Sequence, residues 1–236
     1  MINTLKTSTR TTRIILLVTC LVLVSCGKAV PTSAPVATAP VVEPVATEAV
    51  VTAPQATGFQ VIGVVNRDVT QAAQNASLVI GPNGLWVTWA ENSSGNVRQI
   101  FVSELVDGSF QARGSSLNIH VNAVGDFPTI ALAGENNAVP WVAWAEPSPW
   151  FVNVSQIFAS RFSADTGLWQ QAGQDRGGGE ASINLRTDEP ASSPFIFSGS
   201  TEPGKPPAPW VAWEERAPNS QFSQIFVSRG VKDESG

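Results

Sequence analysis

Three copies of one pattern constrain this chain more than any other feature. Trp86-Val87-Thr88-Trp89-Ala90-Glu91, Trp141-Val142-Ala143-Trp144-Ala145-Glu146 and Trp210-Val211-Ala212-Trp213-Glu214-Glu215 are each followed by a second segment, Gln99-Ile100-Phe101, Gln156-Ile157-Phe158 and Gln224-Ile225-Phe226. The first tryptophans lie 55 and 69 residues apart, which points to a multi-strand unit used repeatedly. Within each Trp-Val-x-Trp segment successive side chains fall on opposite faces of a strand, and both faces are apolar. A sheet with one wet face would alternate polar and apolar residues, so these sheets are expected to be covered on both sides. Stacked propeller blades are covered in that way.

Each unit reads as four antiparallel strands. An apolar strand (Ser77 to Ile80, Pro128 to Leu132, Pro194 to Phe197) leads through a turn into the Trp strand. The Gln-Ile-Phe strand follows, and then an outer strand, Gly108 to Gly114 in the first unit and Gly167 to Gly173 in the second. Pro140 and Pro209 are placed just before the Trp strands, where a missing amide hydrogen does least harm. A third outer-strand pattern, Gly58-Phe59-Gln60-Val61-Ile62-Gly63, stands alone ahead of the first unit, and the last unit ends after its Gln-Ile-Phe strand at Arg229. The fold class is therefore all-β, with about three propeller-type four-stranded antiparallel blades. Propellers typically carry four to eight blades. The expectation is either a piece of a longer propeller, the option favoured here, or half of a six-bladed ring made by two chains.

The wording of the blade resembles repeats of bacterial surface propellers related to the sialidase-like group over about Gly58 to Gly230. Leu117-Asn118 and Ile183-Asn184-Leu185, the Pro-x-Ile strand, Trp-Val-Ala-Trp-x-Glu and Gln-Ile-Phe-x-Ser-Arg carry that resemblance. Ser163-Ala164-Asp165-Thr166-Gly167-Leu168-Trp169 is similar to the group's Asp-box but one residue short. In that family the box is a hairpin turn remote from catalysis, so it bears on fold and not on activity.

The first 57 residues read as something other than a globular domain. Lys6, Arg10 and Arg13 precede the uncharged run Ile14 to Val24, whose 11 residues are too few for a bilayer core that needs about 20. The run ends in Leu23-Val24-Ser25-Cys26-Gly27, which resembles the bacterial lipobox. That resemblance implies a signal peptide over 1–25, lipidation of Cys26 and a membrane anchor of two or more acyl chains, enough for stable attachment. Gly27 in place of an aspartate favours the outer membrane or cell surface. Cys20 would be discarded with the signal peptide, leaving no cysteine for a disulfide. Residues 26–57, rich in Pro, Ala, Thr and Val, read as a semi-rigid tether reaching on the order of 90 Å at about 3 Å per residue. The domain proper is 58–236.

Charge and residue content exclude several functions. Removing the residues before Cys26 leaves 11 cations against 19 acids, a net charge of −8 that repels phosphate backbones, so no nucleic-acid partner is expected. One histidine, His120, read as a surface loop residue, and one lipidated cysteine cannot build a His/Cys metal site or a Ser-His-Asp triad, and no cofactor is implied. The Gly177-Gly178-Gly179 run has no helix behind it and is a loop, not a phosphate cradle. A sialidase needs a tyrosine nucleophile, and the chain has no tyrosine.

Candidate site residues are the repeat-equivalent Glu91, Glu146 and Glu215, with Gln99, Gln156 and Gln224. Recurrence in every unit argues for a shared structural hydrogen bond, since an active site breaks a repeat. Unmatched acids such as Asp126, Asp175 and Glu180 leave room for a two-carboxylate glycosidase, with no spacing to support one. The sequence thus favours a lipid-anchored surface propeller that binds a carbohydrate or protein ligand, the alternative being a sialidase-like glycoside hydrolase on the same fold. Cys26→Ala is expected to abolish incorporation of a clickable fatty acid during metabolic labelling. Equal labelling of wild type and variant would remove the lipoprotein assignment.

Overall fold

A computed structural model describes residue 58 and residues 60–231, except 94, 96, 149, 174–180 and 218. The expected signal peptide, lipidated Cys26 and tether lie outside these residues, as do Asp175, Glu180 and the glycine run.

Eleven strands form three antiparallel sheets. The first contains β1 (Ala73–Gly81), β2 (Gly84–Asn92), β3 (Arg98–Val106) and β4 (Ser109–Ala112), in sequential order. The second repeats that layout with β5 (Asp126–Ala133), β6 (Val139–Pro147), β7 (Ser155–Ser163) and β8 (Leu168–Ala172). The third has β9 (Ala191–Gly199), β10 (Ala208–Arg216) and β11 (Ser223–Arg229) and, among the described residues, no fourth strand. The expected propeller-type blades are therefore present, with β1, β5 and β9 side by side as inner strands.

The two apolar faces of each Trp strand meet two different neighbours. Val142 and Trp144 face the first blade, where they pack with Trp86, Ala90, Ile100 and Val102. Ala143 and Ala145 face the third, packing with Val211, Trp213 and Ile196. Trp89, Trp144 and Trp213 are 1%, 0% and 4% exposed; blade-to-blade packing buries Trp144 and Trp213, whereas Trp89 packs with Val87 and Phe101 of its own blade and with Val65 of the segment entering it. We call the Val/Trp side of each blade its leading face and the opposite side its trailing face.

Each inner strand begins with a bulge. Its first bulged residue, Asn75, Phe127 or Ser193, has a positive φ of 54°, 50° or 54°, and the register of the pair slips at that point. Pro128 and Pro194 sit inside the bulges, where the ladder makes no demand on an amide hydrogen. Inner strands are also stitched across blades, Ile130 N donating to Ser77 Oγ (3.4 Å) and Ile196 N to Thr129 Oγ1 (3.1 Å).

Two expectations need correction. Residues 60–63 form no strand, because pairing requires an open edge beside them and the open edge of β11 belongs to the far blade of the arc. Pro140 and Pro209 lie in β6 and β10 as their second residues rather than ahead of them. The segment Ser163 to Trp169 forms the β7–β8 turn, closed by Gly167 N donating to Ser163 O at 2.8 Å.

Replacing Trp144 by alanine opens a cavity between two blades and is expected to cost about 3–5 kcal/mol in denaturant unfolding. Trp150→Ala, at an exposed hairpin, is expected to stay within about 0.5 kcal/mol of wild type.

Candidate functional site

The repeated glutamates are buried, at 2%, 0% and 1% exposure for Glu91, Glu146 and Glu215, and each is fully engaged. Its carboxylate accepts from the indole Nε1 two residues earlier: Trp89 (2.7 Å), Trp144 (3.0 Å) and Trp213 (2.8 Å). It also accepts from two successive amides of the segment entering its own blade. These are Arg67 and Asp68 (3.0 and 2.8 Å), Ile119 and His120 (3.0 and 2.7 Å), and Leu185 and Arg186 (3.1 and 2.8 Å). His120 is accordingly a half-buried part of this joint rather than a simple surface residue.

The same entering segments hold the preceding blade by their other side. Asn118 Oδ1 accepts from Ile100 N (2.8 Å) while its Nδ2 donates to Arg98 O and Ala123 O. Asn184 Oδ1 accepts from Ile157 N at 2.6 Å. Gln99 and Gln156 add a side-chain bond to the carbonyls of Val121 and Thr187, at 3.1 and 2.9 Å. Gln224 meets no such segment among the described residues and is exposed. Glutamate, asparagine and glutamine together form a staple between the described blades.

What breaks the repeat lies on the same end of the arc. Asp126, at the start of β5, matches Gln74 and Ser192 in the other blades. Its Oδ2 is 2.7 Å from Arg98 Nη2, and its Oδ1 accepts from Asn75 Nδ2 (2.6 Å) and Phe127 N (3.0 Å). It is one carboxylate held by one guanidinium, and the other inner strands place no acid beside it.

The same end of the arc carries exposed apolar side chains on its hairpins, beside the exposed Arg67, Asp68 and Asp188 of the entering segments. The β6–β7 hairpin presents Trp150, Phe151 and Val152 at 67%, 40% and 87% exposure, and the β10–β11 hairpin presents Phe222 at 78%. The opposite end of the arc carries polar and glycine-rich turns: Pro82-Asn83, Asp107-Gly108, Glu135-Asn136-Asn137 and Ala164 to Gly167. The sequence pattern did not single out these aromatic residues, since the candidates it raised were repeated positions and unmatched acids. The available signal was the contrast with the first blade, whose corresponding hairpin, Asn92 to Val97, is polar.

No protein-family model matches the chain, and no curated protein matches its sequence. Solved structures of similar layout include an endo-arabinase from Bacteroides thetaiotaomicron (14% identity, TM-score 0.44, covering 71% of this chain and 59% of that one). A thermostable family-43 glycoside hydrolase is similar at 14% identity and TM-score 0.39, covering 65% and 49%. An α-L-arabinofuranosidase from Lactobacillus brevis is similar at 11% identity and TM-score 0.46, covering 74% and 57%. This chain thus spans between 49% and 59% of each. The likeness is one of strand layout and assigns no residue a role.

Burial outweighs the hydrogen bonds from Trp144, His120 and Ile119 and raises the Glu146 carboxyl above its ordinary value. The folded state therefore binds this proton more tightly than the unfolded chain, so its stabilising effect is greatest in acid and declines as pH climbs through the raised value. Glu146→Gln is expected to flatten that component of the stability–pH curve while costing about 1–3 kcal/mol, because an amide NH2 then confronts a backbone donor. Glu146→Ala, which orphans three donors, is expected to cost about 3 kcal/mol or more in urea unfolding.

Proposed function

We propose that this chain is part of an envelope-anchored β-propeller that binds glycan chains through its aromatic end. The observation that carries the reading is the asymmetry of the arc, with Trp150, Phe151 and Phe222 exposed at one end and polar turns at the other. Exposed aromatic rings offer flat apolar faces with the reach to stack on sugar rings, and an apolar patch of this kind on a soluble surface marks an interaction site. The lipid anchor and tether proposed for residues 1–57 would hold the propeller at the cell envelope.

The second reading is a glycoside hydrolase on the same fold, and Asp126 is the observation that favours it. It is the inner-strand carboxylate that departs from the repeat, and it shares its end of the arc with the aromatic hairpins. A glycosidase of the usual kind needs a second carboxyl about 5–10 Å away. Among the described residues, the matching positions supply Gln74 and Ser192 instead.

One experiment separates the two. On a glycan array the full chain is expected to bind, and Trp150→Ala combined with Phe222→Ala is expected to reduce that binding at least tenfold with stability unchanged. On aryl glycosides including arabinofuranosides and sialosides, no turnover is expected. Turnover abolished by Asp126→Asn would replace the binding reading with the enzymatic one.

A further inference from the structure

We propose that the open edge of β11 is the seat for residues 58–73 of a second copy of this chain, so that two three-bladed arcs join head to tail into a six-bladed ring. The two ends of the arc carry complementary halves of the same staple.

The half at the start is already shaped. Glu91 holds the amides of Arg67 and Asp68 as Glu146 holds those of Ile119 and His120. Gln71 N donates to Asp68 O at 3.0 Å as Ala123 N donates to His120 O at 2.9 Å. Asn66 Nδ2 reaches Gln71 O at 3.5 Å, matching the 2.8 Å bond from Asn118 Nδ2 to Ala123 O. Residues 65–73 therefore have the form of a segment linking two blades, yet among the described residues no blade stands on their outer side.

Among the described residues nothing covers the half at the other end. In the first two blades the outward-facing backbone of Ile100 and Ile157 is satisfied by Leu117 N with Asn118 Oδ1 and by Ile183 N with Asn184 Oδ1. Ile225 pairs with Glu214 as Ile100 pairs with Ala90, so its N–H and C=O also point away from the Trp strand. It is 69% exposed where Ile100 and Ile157 are both 0%.

Transferring the internal register to this edge specifies the joint. Val65 N donates to Ile225 O, Ile225 N to Asn66 Oδ1, and Gln224 Nε2 to Val69 O. Trp210 of one arc covers Leu105 and Phe110 of the next, as Trp86 packs on Phe162 at 5.4 Å with Trp169 behind it. Within one arc these halves cannot meet, because β5 lies between β1 and β9. Two copies supply both joints, and a head-to-tail contact used twice closes a ring whose six blades lie in the usual range.

This seam departs from the internal ones at two points. Phe195 stands where Ser77 and Thr129 accept a hydrogen bond, and Glu214 stands where Ala90 and Ala145 are buried. One stitch is missing and a carboxylate must be accommodated, so the joint is weaker than those within an arc and separates on dilution.

The test is the mass of the full chain in detergent, measured by light scattering with refractive index and absorbance to separate protein from micelle. From low to high micromolar concentration the wild type is expected to pass from one chain to two. Asn66→Lys, which spoils the start of the arc, and Ile225→Lys, which spoils its end, are each expected to remain single. Mixed together they are expected to form a one-to-one pair, because the first still offers β11 and the second still offers residues 58–73. A wild type that stays single, or a mixture that does, overturns the proposal, including the case in which that edge belongs to further blades of a longer polypeptide. Should a variant fail to fold, hydrogen exchange at the Ile225 and Val227 amides decides instead. Slowing with concentration is expected, and exchange that never slows overturns the joint. Neither variant alters the aromatic hairpins, so this result is independent of the glycan-binding reading.

Discussion

A carboxylate almost wholly withdrawn from water is an expensive thing to place in a protein, and the described residues contain three at 2% exposure or less, Glu91, Glu146 and Glu215. Each is made tolerable by three N–H donors, one indole and two successive backbone amides, aimed at its two oxygens. Successive amides that converge on one anion form a fixed concave site for negative charge. The entering loop would otherwise leave those amides unsatisfied under the next blade, so loop and carboxylate stabilise each other. Deleting the charge exposes the loop, and deleting the loop strands the charge. The result is a joint that locks the path of the chain from one blade into the next at the one place where it is neither helix nor strand.

The same joint accompanies two interfaces of different filling. The interface between the first two blades is filled by Trp86, Ile100, Val102, Leu132 and Trp144, whereas the second is filled on one side by Ile157 with Ala131, Ala143, Ala145 and Ala159. Side-chain volume sets how closely neighbouring sheets approach, and the staple is made of backbone and short polar groups that recur regardless. Packing is free to vary from seam to seam while the hydrogen-bonded linkage is kept.

Much of this was legible in the sequence because its causes are local. Alternation in Trp-Val-Ala-Trp assigned each tryptophan to a face before any neighbour was known, and the recurrence of Glu91, Glu146 and Glu215 marked them as structural. Other features depend on what lies across a gap in sequence. Glu146 meets amides 26 and 27 residues away, and nothing in Ile119-His120 announces that its amides would point at a carboxylate. The strand pattern at Gly58 to Gly63 is locally sound, but a strand exists only beside an edge, and the edge lies elsewhere. Pro128 and Pro194 read as strand starts and prove to be bulge residues, because a proline reports a missing donor without saying why none is needed.

Recurrence works in the opposite direction for function. A position occupied identically in every blade answers a demand that every blade shares, so the residues most conspicuous in this sequence are the ones least free to do chemistry. Asp126, Trp150, Phe151 and Phe222 are conspicuous only by contrast with their counterparts, and all four lie at the end of the arc where the glutamate staples hold the loops in place. The aromatic hairpins leave the ends of β6 and β10 that carry Glu146 and Glu215, and a side chain on an anchored base loses less conformational freedom when a ligand stacks against it. The feature that makes the repeat monotonous is thus also what gives its irregular residues a firm base.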